Sequence, residues 1–313
     1  MRPPDRERGR KLDDDLREFA RDKYPLPGIR STANRESFVE QLIESIRRVE
    51  FIAAIAQRDI SDLRADPSSD LFDPVKASIL YKRRGNIDEA FWLAFLSVHF
   101  GKHKRLGWRL VRDVYGALGA NIRWDWATTS KAPQAFRRWL AKYENVLKGG
   151  DGIERHFGNH RKYQSLDATS GSGTGAAIES YVNWVSPTRT HETLIADAKK
   201  QCGGDPRKTF DHLYHSMNKV ASFGRLAKFD YLTLIGKLGL ATIEPGSTYM
   251  ETSTGPLAGP RLLFTGKGAN LSRRDLDLRS VELADASRVG MQVMEDALCN
   301  WQKSPDKFVP FRG

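Results

Sequence analysis

The stretch from Ala90 to Phe100, AFWLAFLSVHF, constrains this chain most. Wound as a helix it is apolar on every side, so no face is left for water. A bilayer crossing needs about 20 such residues. The segment is therefore expected to be a core helix, and the rest of the chain must supply the elements that cover it. Those elements also look helical. Phe38, Leu42, Ile46, Val49 and Ala53 recur at spacings of three and four, which predicts a helix over 35–57. Asp73-Pro74 supplies an N-cap and a first-turn proline for a helix that stops near Gly85. The apolar helix is expected to start at Asp88 and end at Gly101. Another carries Trp108, Val111, Tyr115 and Leu118. Pro133 opens one with Phe136, Trp139, Leu140, Tyr143 and Leu147 on one face and Gly149-Gly150 as its stop. Helices are expected again over 191–200 and 206–220, and a last one over 281–301, with 241–270 irregular. No alternating strand pattern or fixed-period repeat appears. The expected class is all-α.

Four segments follow. Residues 1–12 look like a disordered basic tail, and 13–148 like an N-terminal helical part. Residues 149–176, with ATSGSGTG, form a flexible Gly-rich loop, and 177–313 hold the part that carries the chemistry, expected to form one compact unit with 13–148. A net charge of +11 favours a polyanionic partner, nucleic acid first. Two cysteines, Cys202 and Cys299, are too few for a secreted disulfide framework. The charged start, MRPPDRERGRKLDDD, lacks the apolar region of a signal peptide. The expectation is a cytoplasmic protein with no membrane partner; the oligomeric state is not legible.

Several chemistries can be set aside. In FTGKGANLS, Gly268 follows Lys267 where a phosphate-binding loop needs Ser or Thr. GSGTG lacks a preceding strand. The His-x-Glu and Pro-Cys-x-x-Cys signature of zinc deaminases is missing. His212 and His215 lie three apart beside Asp211, without evident further ligands, so neither metal nor cofactor is expected.

The segment MNKVASFGRLAKFDYLTLIGKLGL, residues 217–240, has the shape of a helix-hairpin-helix. Backbone N–H groups at Gly224 and at the start of the second helix can face a DNA phosphate, with Arg225 and Lys228 adding charge. Glu244 follows Gly224 by twenty residues, about where hairpin-bearing DNA glycosylases place a catalytic carboxylate. Such a group stabilises the sugar cation that forms as an N-glycosidic bond breaks, or deprotonates the attacking water. Asp230, in the second hairpin helix, competes for that role, and Lys228 offers an amine nucleophile. FGNHRKY, residues 157–163, is the expected base pocket. There Asn159 and His160 meet a base edge, Tyr163 stacks, and Arg161 and Lys162 reach phosphates. Trp124 and Trp126 look like core or wedge residues. Arg261, Arg273 and Arg274 are candidate backbone contacts.

Together the stretches SIRRVEFI, NIDEAFWLAFLSVHFGK, GWRLVRDVYG, FGNHRKYQSL, SFGRLAKFDYLTLIGKLGL, IEPGSTY, TGPLAGPRLLF and VGMQVMEDALCNWQKSPDKF resemble the clade 3 family of alpha-glutamyl/putrescinyl thymine pyrophosphorylases. The resemblance implies a helix-hairpin-helix DNA glycosylase-like fold and double-stranded phage DNA with modified bases as partner. It implies two chemistries. One excises a bulky pyrimidine such as glucosylated hydroxymethylcytosine, leaving an abasic site. The other lets an amine displace pyrophosphate from a modified base. TGPLAGPRLLF resembles a Gly-Pro-Gly-type loop interrupted by Leu257 and Ala258. Excision makes the simpler demand, a flipped base with a carboxylate and water, and is expected first.

Overall fold

The structure is a computed structural model that describes residues 3–158, 161, 164–185, 189–250, 257–266 and 270–310. These hold fourteen α-helices and no strand, so the chain is all-α. The chain divides into two compact units. One is continuous, from Ile55 to Glu244. The other is discontinuous and joins the residues up to Ala54 to those from Pro245 onward.

The discontinuous unit comprises α1 (Pro3–Asp22), α2 (Thr32–Ile55), α12 (Ala258–Thr265), α13 (Arg273–Ala286) and α14 (Met291–Trp301). Where the sequence suggests a tail over 1–12, α1 begins at Pro3. Its Leu12, Leu16 and Phe19 fall on one buried stripe, and Asp13 pairs with Arg17 and Arg35. The helix is mostly polar, and only its packing reveals it. The stretch 241–270, expected to be irregular, contains α12. This helix is wedged between backbones. A Cβ on Gly28 would sit 2.3 Å from the Leu262 carbonyl oxygen, and one on Gly259 would sit 2.4 Å from that of Leu298. The single last helix is in fact two, because Arg288 and Gly290 both take positive φ between α13 and α14.

In the continuous unit, α4 (Ile87–Phe100) is the axis, and every residue from Glu89 to Phe100 is buried. It packs against α3 (Pro74–Arg83), α5 (Arg109–Tyr115), α6 (Trp126–Lys131), α9 (His191–Gln201) and α11 (Arg225–Lys237). Around it also lie α7 (Pro133–Asn145), α8 (Thr174–Val185) and α10 (Pro206–Ser216). Asp73 caps α3, accepting from the Val75 and Lys76 N–H groups, with Pro74 following as expected. Asn86, rather than Asp88, caps α4, and Gly101 at φ 68 ends it. Leu118, assigned by its spacing to the helix face of Trp108, lies beyond α5 at φ 59. Phe95 is completely buried, its ring 3.8 Å from that of Tyr181 and 5.1 Å from that of Phe223. Burying one such ring contributes about 2–3 kcal/mol. No helix is long and apolar enough to cross a membrane among the described residues.

Candidate active site

Where the sequence suggests a helix running to residue 220 and a tight hairpin, α10 ends at Ser216 and is followed by a short 3-10 turn over Met217–Lys219, the turn 220–224, and α11. Ser222 adopts φ +56, and the turn is held from outside. Ser180 Oγ accepts the Ala221 N–H at 2.8 Å, and Gln164 Nε2 donates to the Ser222 carbonyl at 3.0 Å. Phe223 anchors it through the stack on Phe95. Gly224 stands at the N-cap of α11, exposed, with no side chain capping the helix and open space where a Cβ would be. The first-turn N–H groups of α11 are therefore open to an anion. Arg225 is half-buried at the first helical position.

Asp230 lies mid-way along α11 with its side chain 37% exposed. Arg161 holds it: the guanidinium donates from Nη2 to Asp230 Oδ2 at 2.7 Å, and from Nε to the Val98 carbonyl at 2.7 Å. Arg161 is itself buried, so its charge is directed at this carboxylate and the end of α4 rather than at open solvent. Oδ1 of Asp230 has no partner among the described residues. Phe157 and Gly158 press the same loop onto α4. Their contacts are a ring stack on Phe100 at 5.6 Å and a 2.8 Å bond from the Gly158 N–H to the Phe100 carbonyl. Asn159, His160, Lys162 and Tyr163 lie outside the described residues. What is described of FGNHRKY thus converges with the hairpin on one carboxylate.

Lys228 is buried as well. Its ammonium donates to Asn218 Oδ1 and sits 4.1 Å over the Tyr214 ring, and burial holds it below the ordinary lysine range. Glu244 has another setting. It is exposed and pairs at 3.1 Å with Arg207, in the first turn of α10. Arg261 is exposed on α12 of the discontinuous unit, where it lines a shallow pocket with Leu257, Leu262 and Arg273.

Sequence reasoning missed a buried polar set. Asp88 Oδ1 accepts from the His191 backbone N–H at 2.8 Å and lies 2.6 Å from His191 Nδ1. His191 Nε2 is 2.8 Å from the Tyr181 hydroxyl, which is 2.8 Å from that of Tyr231, the neighbour of Asp230. Burial lowers the His191 pKa, and Asp88 only partly offsets this, so the imidazole is neutral. Partial burial works to raise Asp88, but the hydrogen bonds from His191 hold it below the usual carboxylate range. With Asp88 ionised, Nδ1–H donates to it, Tyr181 donates to Nε2, and Tyr231 donates to Tyr181. His99 is pushed down to about 3 by burial and then by Arg161. Thr174 Oγ1 donates to the Ser165 carbonyl and so accepts from His99 Nε2 at 3.0 Å. Glu89, pushed up to about 7 by burial, accepts from the Tyr115 hydroxyl and the Trp126 N–H. A histidine inside the apolar run at Ala90–Phe100 was the one available signal of this set.

A family model described as alpha-glutamyl/putrescinyl thymine pyrophosphorylase clade 3 matches residues 33–313. The chain belongs to that family. Nearly the whole of this clade 3 chain is covered, including both hairpin helices and the Arg161–Asp230 pair. The family name is that of an enzyme group that modifies thymine. No curated protein matches the chain, and no solved structure does.

Proposed function

We propose that this clade 3 protein is a DNA N-glycosylase that extrudes a bulky modified pyrimidine, such as glucosylated hydroxymethylcytosine in phage DNA, and cuts its glycosidic bond as an anti-phage defence. The observation that carries the reading is the Asp230 carboxylate. One oxygen is fixed by a buried arginine and the other has no partner among the described residues, on the helix whose N-terminus follows the turn and carries no side-chain cap. A phosphate docked at Gly224 and Arg225 places the strand over α11. The bond from C1′ to the base nitrogen breaks, and its electron pair leaves with the base. Positive charge builds on the sugar, and Asp230 stabilises it. A water adds its oxygen to C1′ and gives its proton to Asp230, leaving an abasic site. Arg161 is a positioning residue in this scheme, and Glu244 is a surface ion-pair partner.

Asp230→Asn keeps an acceptor for Arg161 and removes the charge. Aldehyde formation and alkali-labile breaks in DNA bearing glucosylated hydroxymethylcytosine should fall by about 10² to 10⁴. Glu244→Gln should stay within a few-fold of the parent. Full activity in Asp230→Asn would overturn the reading.

The family name favours a second reading. In it an amine attacks the hydroxymethyl carbon of a pyrophosphorylated pyrimidine, pyrophosphate leaves, and the glycosidic bond survives. Mass spectrometry of nucleosides separates the two: a free base supports excision, and an intact nucleoside of new mass supports transfer.

A further inference from the structure

The loop after α4 reads GKHKRLG, residues 101–107, and folds into a small closed hairpin. The His103 N–H donates to the Gly107 carbonyl and the Gly107 N–H to the His103 carbonyl, each at 2.9 Å. The Leu106 N–H donates to His103 Nδ1 at 3.2 Å, which turns the imidazole inward as a brace. Gly101 and Gly107 take φ +68 and +60, values that L side chains adopt rarely. The glycines permit this turn and the cross-turn bonds close it, and Lys102, Lys104 and Arg105 on it are exposed to solvent.

Its base is the active-site loop. A Cβ on Gly158 would lie 2.7 Å from the Gly101 carbonyl carbon, so the two backbones touch. The His156 ring lies 5.4 Å from that of His103. Arg105 pairs with the exposed Glu154 at 2.9 Å, whereas Lys102 and Lys104 have no carboxylate partner among the described residues. Holding like charges on a short braced turn is repulsive, and a polyanion relieves the repulsion.

We propose that this hairpin is a second phosphate clamp for duplex DNA. It grips the backbone beside the nucleotide that Asp230 addresses, with Lys102 and Lys104 as the contacting cations. The inference rests on the DNA-acting reading above and adds to it where the flanking duplex is held. Phosphate contacts of this kind position the strand and do not read sequence.

The test is the salt dependence of binding to a plain duplex, with the full chain. Each phosphate contact adds about 0.9 to the slope of log K against log salt concentration. Lys102→Gln/Lys104→Gln should flatten the slope by about 1.8 without changing the circular dichroism spectrum, since both side chains are exposed. Lys199→Gln/Lys200→Gln, an equal loss of exposed charge on α9, should leave the slope within half a unit of the parent. An unchanged slope in the hairpin variant, or equal flattening in both, overturns the clamp while leaving the functional reading intact. A parent protein that fails to bind duplex DNA at any salt concentration overturns the functional reading, and the clamp with it.

Discussion

The discontinuous unit and the continuous unit bury different things. The first fills its core mainly with Leu, Ile, Val and Met around Phe38 and Trp301, whose rings lie 5.0 Å apart, and buries fewer charged groups, Asp5 and Glu295. The second buries His99, His191, Glu89, Arg155, Arg161 and Lys228 among its aromatic rings. Apolar burial is favourable wherever the shapes fit. Polar burial costs free energy unless each group is satisfied, so a core that holds this many polar groups is shaped by more than stability. Arg155 illustrates the arrangement: it is almost wholly buried, yet bonded to both Asp113 and Asp151. The polar core belongs to the unit that contains α11 and the Asp230 carboxylate.

The contrast can be broken at its apolar end first. Leu298 is fully buried, so Leu298→Ala should cost about 4 kcal/mol, part transfer and part cavity. Because no proton is involved, denaturant midpoints should fall by the same amount from pH 5 to pH 8. A loss that varies with pH would show that the two cores do not differ as described.

Glu89 sharpens the comparison from the other side. Its folded pKa, about 7, lies above the ordinary 4.5. Below pH 4.5 the group is protonated whether folded or unfolded, and nothing is lost. Between 4.5 and 7 the unfolded chain releases a proton that the folded chain keeps, so stability falls as pH rises. Glu89→Gln should therefore match the parent at pH 4 and exceed it by on the order of 3 kcal/mol at pH 8. His99, pushed down to about 3, has the opposite slope: its contribution is present above pH 6.5 and is lost as pH falls. Parent and variant share that term, so it cancels at each pH. The smallest expected effect is at Tyr231. Tyr231→Phe removes the donor to Tyr181 but leaves Tyr181 bonded to His191, and should cost about 1 kcal/mol in thermal unfolding.

Much of the continuous unit was legible because its punctuation is local. Asp73-Pro74, Gly85, Gly101 and Pro133 are start and stop signals that act within a turn of the chain. The start of α11 after Gly224 was legible for the same reason. The elements that went unread depend on distant partners. The polar α1 shows its stripe only against α13, and α12 exists where two glycines let backbones close. The break at Arg288 needs a positive φ that no spacing rule announces. At the site, residue types were visible and their states were not. Arg161 and Lys228 look like phosphate contacts in a string of letters, because a basic side chain gives no sign that it will be buried. The Asp88–His191–Tyr181–Tyr231 chain joins four helices, and its members are up to 143 residues apart in sequence. No local motif encodes a contact of that separation.

The division of the chain also sets an order of assembly. During synthesis α1 and α2 emerge first, but α12, α13 and α14, which complete their core, follow only after the whole 55–244 segment. The continuous unit can close while it is being made. Its N-terminal neighbours must wait about 190 residues, on the order of 10 to 40 seconds at ordinary elongation rates, with Leu12, Leu16, Phe38 and Leu42 uncovered. Slowing translation after residue 244 should therefore expose the nascent chain to holding chaperones through those two helices.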